Sequence, residues 1–178
     1  MEDISFYEYV VPQKGSKAKR KKFFLITFYI LYVIGVLLLG VMAKIVLPLL
    51  AFVPLSLWII VFFTWRYASV EYEYSIASGS FTYTTVWGGR SRKAVVEFKL
   101  KDCSLIAPLD DKYSERAEAY NAEKVYVGLS DTASPSAYFA TFEAGGKRCI
   151  LYFEANAHAL KVCRYYNSAA TVVIPLDR

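Results

Sequence analysis

His158 is the only histidine in 178 residues, so histidine-based acid–base chemistry would have to run through it. It falls where a terminal helix is expected to begin, with no cysteine or carboxylate at metal-ligand spacing and no Gly-x-Ser-x-Gly run to supply a nucleophile. It reads as a surface or core-edge residue. Asp110-Asp111 and the pair Glu115 and Glu118 are carboxylates of the kind that divide acid and base roles, but such work needs desolvation to separate their pKa values. Set among Lys112, Ser114 and Arg116, they read as a solvated segment. Gly88-Gly89-Arg90 and Gly145-Gly146-Lys147-Arg148 place backbone N–H groups beside cations, as phosphate cradles do. Neither matches a P-loop or dinucleotide fingerprint, and both suit hairpin turns. Cys103, Cys149 and Cys163 are odd in number and form no Cys-x-x-Cys pair, so they read as three small buried hydrophobes in a reducing compartment. The expectation is a chain with no catalytic residue, no cofactor and no metal, and so no enzyme.

What remains is positive charge, and it is unevenly distributed. Lys14, Lys17, Lys19, Arg20, Lys21 and Lys22 face only Glu2, Asp3 and Glu8, whereas residues 66–178 carry fourteen basic and thirteen acidic groups. The pI near 9.0 therefore belongs to the N-terminal segment. A nucleic-acid binder would show a basic face on its folded domain, and this domain is close to neutral. Each Lys or Arg beside an anionic leaflet gains on the order of 1 kcal/mol. Lys17, Lys19, Arg20, Lys21 and Lys22 are thus the residues expected to touch anionic lipid headgroups, with Arg90, Arg92 and Lys93 as a weaker second set. Setting membrane topology is their other expected role.

The elements that position these residues start with a hairpin. Between Phe23 and Trp65 the only charged residue is Lys44. On either side of it lie apolar runs of about 20 residues, each long enough as a helix to span a hydrocarbon core of about 30 Å. The spans are placed at about 23–43 and 45–65, within a hairpin of 23–67. The run is too long for a secretory signal, a second span follows at once, and no small-residue cleavage site ends the first. The cationic cluster before the first span holds that end in the cytoplasm, and two spans return the chain to the same side. Both termini are therefore expected to be cytoplasmic, at the inner membrane. Lys44 can reach outer headgroups, Pro48 suits a helix's first turn, and Pro54 should kink the second span.

The organisation expected is a basic arm over 1–22, the hairpin over 23–67, and a cytoplasmic domain over 68–178. In that domain Val70, Tyr72, Tyr74 and Ile76 alternate with Glu71, Glu73 and Ser75, the pattern of a half-buried strand. Phe81, Tyr83 and Trp87 mark a second strand, and Ala94, Val96, Phe98 and Leu100 a third, joined by glycine turns into a meander. A short strand ends at Pro108. Residues 109–124 break the pattern as one or two helical turns or a loop. Further strands are expected around Val125–Leu129, Tyr138–Glu143 and Arg148–Glu154. Asn156 should cap a terminal helix whose apolar stripe is Ala159, Leu160, Val162, Cys163 and Tyr166, ending at Asn167. Seven strands and one helix predict an α+β membrane protein: a transmembrane hairpin, then a mostly antiparallel barrel or sandwich covered by an amphipathic helix. Fifteen tyrosines, among them Tyr113, Tyr120, Tyr126, Tyr138, Tyr152, Tyr165 and Tyr166, are too many for one small core and tilt the surface towards protein contacts.

This order of elements resembles the pleckstrin-homology-like (PH-like) superfold. The basic N-terminus, the tight hairpin, the strand Tyr72-x-Tyr74-x-Ile76-x-x-Gly79-x-Phe81 and the tail from Leu151 to Asn156 resemble small bacterial two-span proteins with a cytoplasmic PH-like domain. The resemblance covers nearly the whole chain, and its motifs are fold signatures without catalytic content. It implies a non-enzymatic binding or scaffold module, with protein partners as well as the bilayer. The alternative is an accessory subunit of a larger membrane complex assembled through the hairpin. Phosphoinositide-binding relatives usually carry cations between their first two strands; the loop expected there, Ala77 to Ser80, has none.

Overall fold

The computed structural model describes residues 6–13, 16–131 and 134–173, the side chains of 16–18 excepted. The order is β1 (Phe6–Pro12), α1 (Ser16–Met42), α2 (Val46–Thr64), a 3-10 turn (Trp65–Tyr67), β2 (Val70–Ala77), β3 (Ser80–Trp87) and β4 (Ser91–Lys99). After a second 3-10 turn (Leu100–Asp102) come β5 (Leu105–Pro108), α3 (Asp111–Ala119), β6 (Lys124–Val127), β7 (Ala137–Ala144), β8 (Lys147–Glu154) and α4 (Ala157–Tyr166).

The apolar runs form the two expected helices, each long and apolar enough to cross a membrane. Most of their large side chains are exposed, a surface that water alone would not tolerate. Lys44 takes a left-handed φ of 58° and ends α1. The Ile45 N–H donates to Gly40 O at 3.0 Å and the Lys44 N–H to Val41 O at 3.2 Å, the paired bonds of a Schellman stop. Tyr29 and Thr64 share a hydroxyl bond of 2.6 Å, and Tyr32 donates to Ser56 at 2.8 Å, so these polar side chains satisfy one another between the helices.

The meander is present, with one strand more than the sequence foretold. Residues 6–12, assigned to the basic arm, form a strand that pairs antiparallel with β2 from Phe6↔Ala77 to Pro12↔Glu71. Alternation explains it: Tyr7, Tyr9 and Val11 pack on the core while Phe6, Glu8 and Val10 face out. The hairpin is therefore an insertion between two adjacent strands of one sheet, and the domain cannot begin at residue 68. It follows that Ala77 to Ser80 joins the second and third strands, not the first two.

The strands form two four-stranded sheets, ordered β1-β2-β3-β4 and β5-β7-β8-β6. Among the described residues no closed barrel forms; the sheets meet face to face, Phe98 stacking on Phe142 at 3.9 Å between ring centroids and Phe81 meeting Phe153 edge-on at 5.2 Å. The edges are managed locally instead. β1 covers β2, while β4 bulges opposite Tyr83 and Thr84 and carries exposed Arg92 and Lys93. Among the named strands pairing is antiparallel except that β6 runs parallel to β8, and Ile106 of β5 adds a parallel bridge to Thr171.

Helix α4 forms as expected. The Asn156 side chain accepts from the Ala159 N–H at 2.8 Å, and Leu160, Val162 and Cys163 join the main core. Asn167 ends it and donates to Leu100 O and Cys103 O, fastening the helix to the second 3-10 turn. Residues 109–124 are helical over Asp111–Ala119, capped by Asp110, whose carboxylate accepts from the Tyr113 N–H at 3.0 Å. Tyr138 is wholly buried, and of the seven tyrosines named above only Tyr165 is fully exposed.

A buried carboxylate closes the far side of the core. Glu154 accepts from the Ser130 N–H at 2.8 Å and from the Ser130 hydroxyl, while its backbone carbonyl accepts from Tyr9. Glu154→Ala orphans a buried N–H and should cost about 2–3 kcal/mol, lowering a thermal midpoint by roughly 5–10 °C. Ser130→Ala keeps the N–H bond and should cost under half as much. Equal midpoints for parent and Glu154→Ala, measured in detergent, would remove the carboxylate from the fold's support.

Candidate functional site

The residues whose types could do chemistry lie on several elements. His158 stacks on Tyr7, ring centroids 4.3 Å apart, and the neighbouring Asn156 Nδ2 donates to the Tyr7 hydroxyl at 2.6 Å. Together they hold β1 against α4. Asp110 is a helix cap, and Asp111, Glu115 and Glu118 are exposed on α3. All three cysteines are buried and free. Burial pushes the thiols of Cys103 and Cys163 up to about 12, far from a reactive thiolate. Burial likewise raises Tyr83 to about 12 and Tyr74 higher still. Tyr74 is engaged with the Gly128 carbonyl and Tyr83 with the Val127 carbonyl, so these phenols anchor the segment after β6 and stay protonated. Among the described residues no three His, Cys, Asp or Glu side chains gather as a metal site.

The glycine pairs are turns. Gly145 and Gly146, both at positive φ, join β7 to β8 in a two-residue loop. Gly88 does more, because a Cβ there would lie 2.8–2.9 Å from Arg66 Cβ and Cα. The β3–β4 turn thus presses directly onto the chain leaving α2, and the Gly88 N–H donates to Ser69 O at 2.7 Å.

That contact builds a recess of about 280 Å³ at the junction of hairpin and domain, lined by Trp58, Val61, Phe62, Trp65, Arg66, Gly88 and Arg90. The Arg90 guanidinium lies 4.5 Å over the Phe62 ring, and the Arg66 guanidinium 4.9 Å over that of Tyr67. The lining holds two cations and no carboxylate, a polarity that suits an anion.

The sequence named Arg90, Arg92 and Lys93 together, and the structure separates them. Arg90 enters the recess, Arg92 pairs with Glu73 at 3.4 Å, and Lys93, next along the strand, is exposed. Arg66, which the sequence did not single out, is the cation that joins Arg90 in the lining. Lys19, Arg20, Lys21 and Lys22 are exposed on the first turns of α1; Lys17 is in that helix with its side chain outside the described residues, and Lys14 lies outside them altogether. A second recess of about 250 Å³ brings Lys99 and Lys101 to Ser78, Gly79, Ser80 and Tyr166. The Ala77–Ser80 turn thus acquires two cations that no local reading could supply, though Glu97 accepts from the Ser80 hydroxyl nearby.

A family model described as a bacterial PH-like domain (DUF6106) matches residues 2–172. The match takes in β1, both helices and the two sheets as one unit. Comparisons with curated proteins and with solved structures gave no match.

Proposed function

The chain belongs to the bacterial PH-like domain family DUF6106, and from that premise we propose that it is a non-enzymatic protein of the bacterial inner membrane that presents its domain as a binding or scaffold surface on the cytoplasmic side. In this reading α1 and α2 cross the bilayer as a hairpin and both termini are cytoplasmic. The observation that carries it is the insertion of the hairpin between β1 and β2, which are hydrogen-bonded neighbours. Any bilayer crossed by both helices leaves all eight strands on one side, held at the membrane by two connections in place of a single flexible tether. Charge selects the side. The exposed Lys19, Arg20, Lys21 and Lys22 favour the cytoplasm. They also crowd the positive end of the α1 dipole, with no acidic residue in its first turn, a repulsion that anionic headgroups relieve.

Topology is read with single cysteines, Asp3→Cys and Leu176→Cys, and an impermeant thiol reagent. The native thiols are buried and stay silent. Neither site should label in intact cells and both should label after permeabilisation; labelling of either in intact cells overturns the assignment. To separate a scaffold from an accessory subunit, α1 and α2 are replaced by an unrelated two-span hairpin before purification in mild detergent. Partners that remain bound belong to the domain. Partners lost with the native helices would make the protein a subunit assembled through its hairpin.

A further inference from the structure

We propose that the recess between α2 and the β3–β4 turn seats an anionic phospholipid of the surrounding leaflet, its phosphate held by Arg66 and Arg90. This rests on the membrane reading above and adds to it a ligand class and the residues that take it. Trp58, Val61, Phe62 and Trp65 fall at i, i+3, i+4 and i+7, a single helix face that runs about 10 Å along the axis. Arg66 and Arg90 line the recess at the domain end of that face, where α2 gives way to the 3-10 turn. An apolar stripe capped by two cations has the polarity of a phospholipid, acyl chain below and phosphate above.

The Arg66 guanidinium donates to the Tyr67 hydroxyl at 3.1 Å, a neutral partner that leaves its charge uncompensated. Among the described residues neither Arg66 nor Arg90 is ion-paired, whereas Arg92, two positions along β4, is already committed to Glu73. Arg90 is also positioned, its guanidinium resting on Phe62 within the stripe. The close approach of Gly88 to the Arg66 backbone holds the β3–β4 turn, and with it Arg90, against the chain leaving α2. Guanidinium forks match phosphate oxygens in pairs and are more weakly hydrated than ammonium groups, which favours them at an interface. With two positive charges and no carboxylate in the lining, a net negative headgroup is preferred over a zwitterionic one. The domain without α2 lacks half of this site and should show no such preference.

The full chain carrying Trp87→Phe keeps Trp58 and Trp65 as its fluorophores and is reconstituted in phosphatidylcholine vesicles containing phosphatidylglycerol. Bromine is placed on the acyl chains of one lipid or the other, and quenching reports which lipid occupies the recess. Brominated phosphatidylglycerol should associate about tenfold more strongly than brominated phosphatidylcholine. Arg66→Gln with Arg90→Gln should bring that ratio close to one. Lys112→Gln with Lys161→Gln, an equal charge loss on α3 and α4, should leave it as it was. A ratio near one in the parent overturns the proposal. So does a preference that survives loss of both arginines, which would assign it to Lys19–Lys22. Quenching by neither lipid would overturn the membrane reading itself, and the seat with it.

Discussion

Joining Gln13 directly to Val70 through an Asn-Gly turn, with residues 14–69 removed, should give a soluble domain that melts cooperatively, while residues 68–178 alone should be far less stable. Gln13 already donates its N–H to Val70 O at 2.9 Å, so these residues face each other at the open end of the β1–β2 pair. A two-residue turn of this type closes such a pair with the right twist. The helical hairpin is, in topological terms, an oversized loop in a β-hairpin. Removing β1 strips Tyr7, Tyr9 and Val11 from the core. It also deletes the Tyr9 bond to the Glu154 carbonyl and the Tyr7 contacts with Asn156 and His158. Three half-buried side chains at about 1 kcal/mol each, with two hydrogen bonds of similar worth, come to about 5 kcal/mol. That rivals the whole stability of a small domain, typically about 5–15 kcal/mol. It also bares the edge of β2, a template for aggregation. Matching thermal midpoints for the fused and truncated forms would show that β1 is an accessory strand.

That strand marks the limit of what local pattern conveys. The meander and α4 were legible because alternation, glycine turns and the Asn156 cap act over a few residues. β1 carries the same alternation in Tyr7, Tyr9 and Val11, but its partner lies beyond the whole hairpin, and the adjacent cationic run suggested a free arm. The parallel pairing of β6 with β8 is equally non-local, as is the sandwich itself: a seven-strand count with two exposed edges argued for closure, and an eighth strand with a bulge removed the need. At the junction Arg90 was visible as a cation in a turn, whereas Arg66 stood out only as the first charge after the apolar run. Their meeting depends on Gly88 pressing against the Arg66 backbone, a contact between segments that no spacing rule connects. The repeat of Trp58, Phe62 and Trp65 was the one signal available, and in an apolar span every residue looks alike.

Leu160→Asp should unfold the domain while leaving the hairpin helical. Leu160 is 1 % exposed and lies in the same core as Tyr74, Phe81 and Phe153, where the two sheets meet. An aspartate there is either charged without a partner or protonated with unmet hydrogen bonds, and either state costs several kcal/mol beyond the lost packing. Val162 and Cys163, which share the buried stripe, offer it no countercharge. Tyr165→Asp on the same helix is the control, because Tyr165 is 69 % exposed and its replacement should shift the midpoint by little. In detergent the Leu160 variant should lose near-ultraviolet dichroism from the packed tyrosines while the far-ultraviolet signal of α1 and α2 persists, their bonds being satisfied within each helix and across the pair. A Leu160 variant that melts with the parent would mean that α4 rests on a core the two sheets complete without it. β1, which α4 grips through Asn156 and His158, would then need another reason to stay paired across the inserted hairpin.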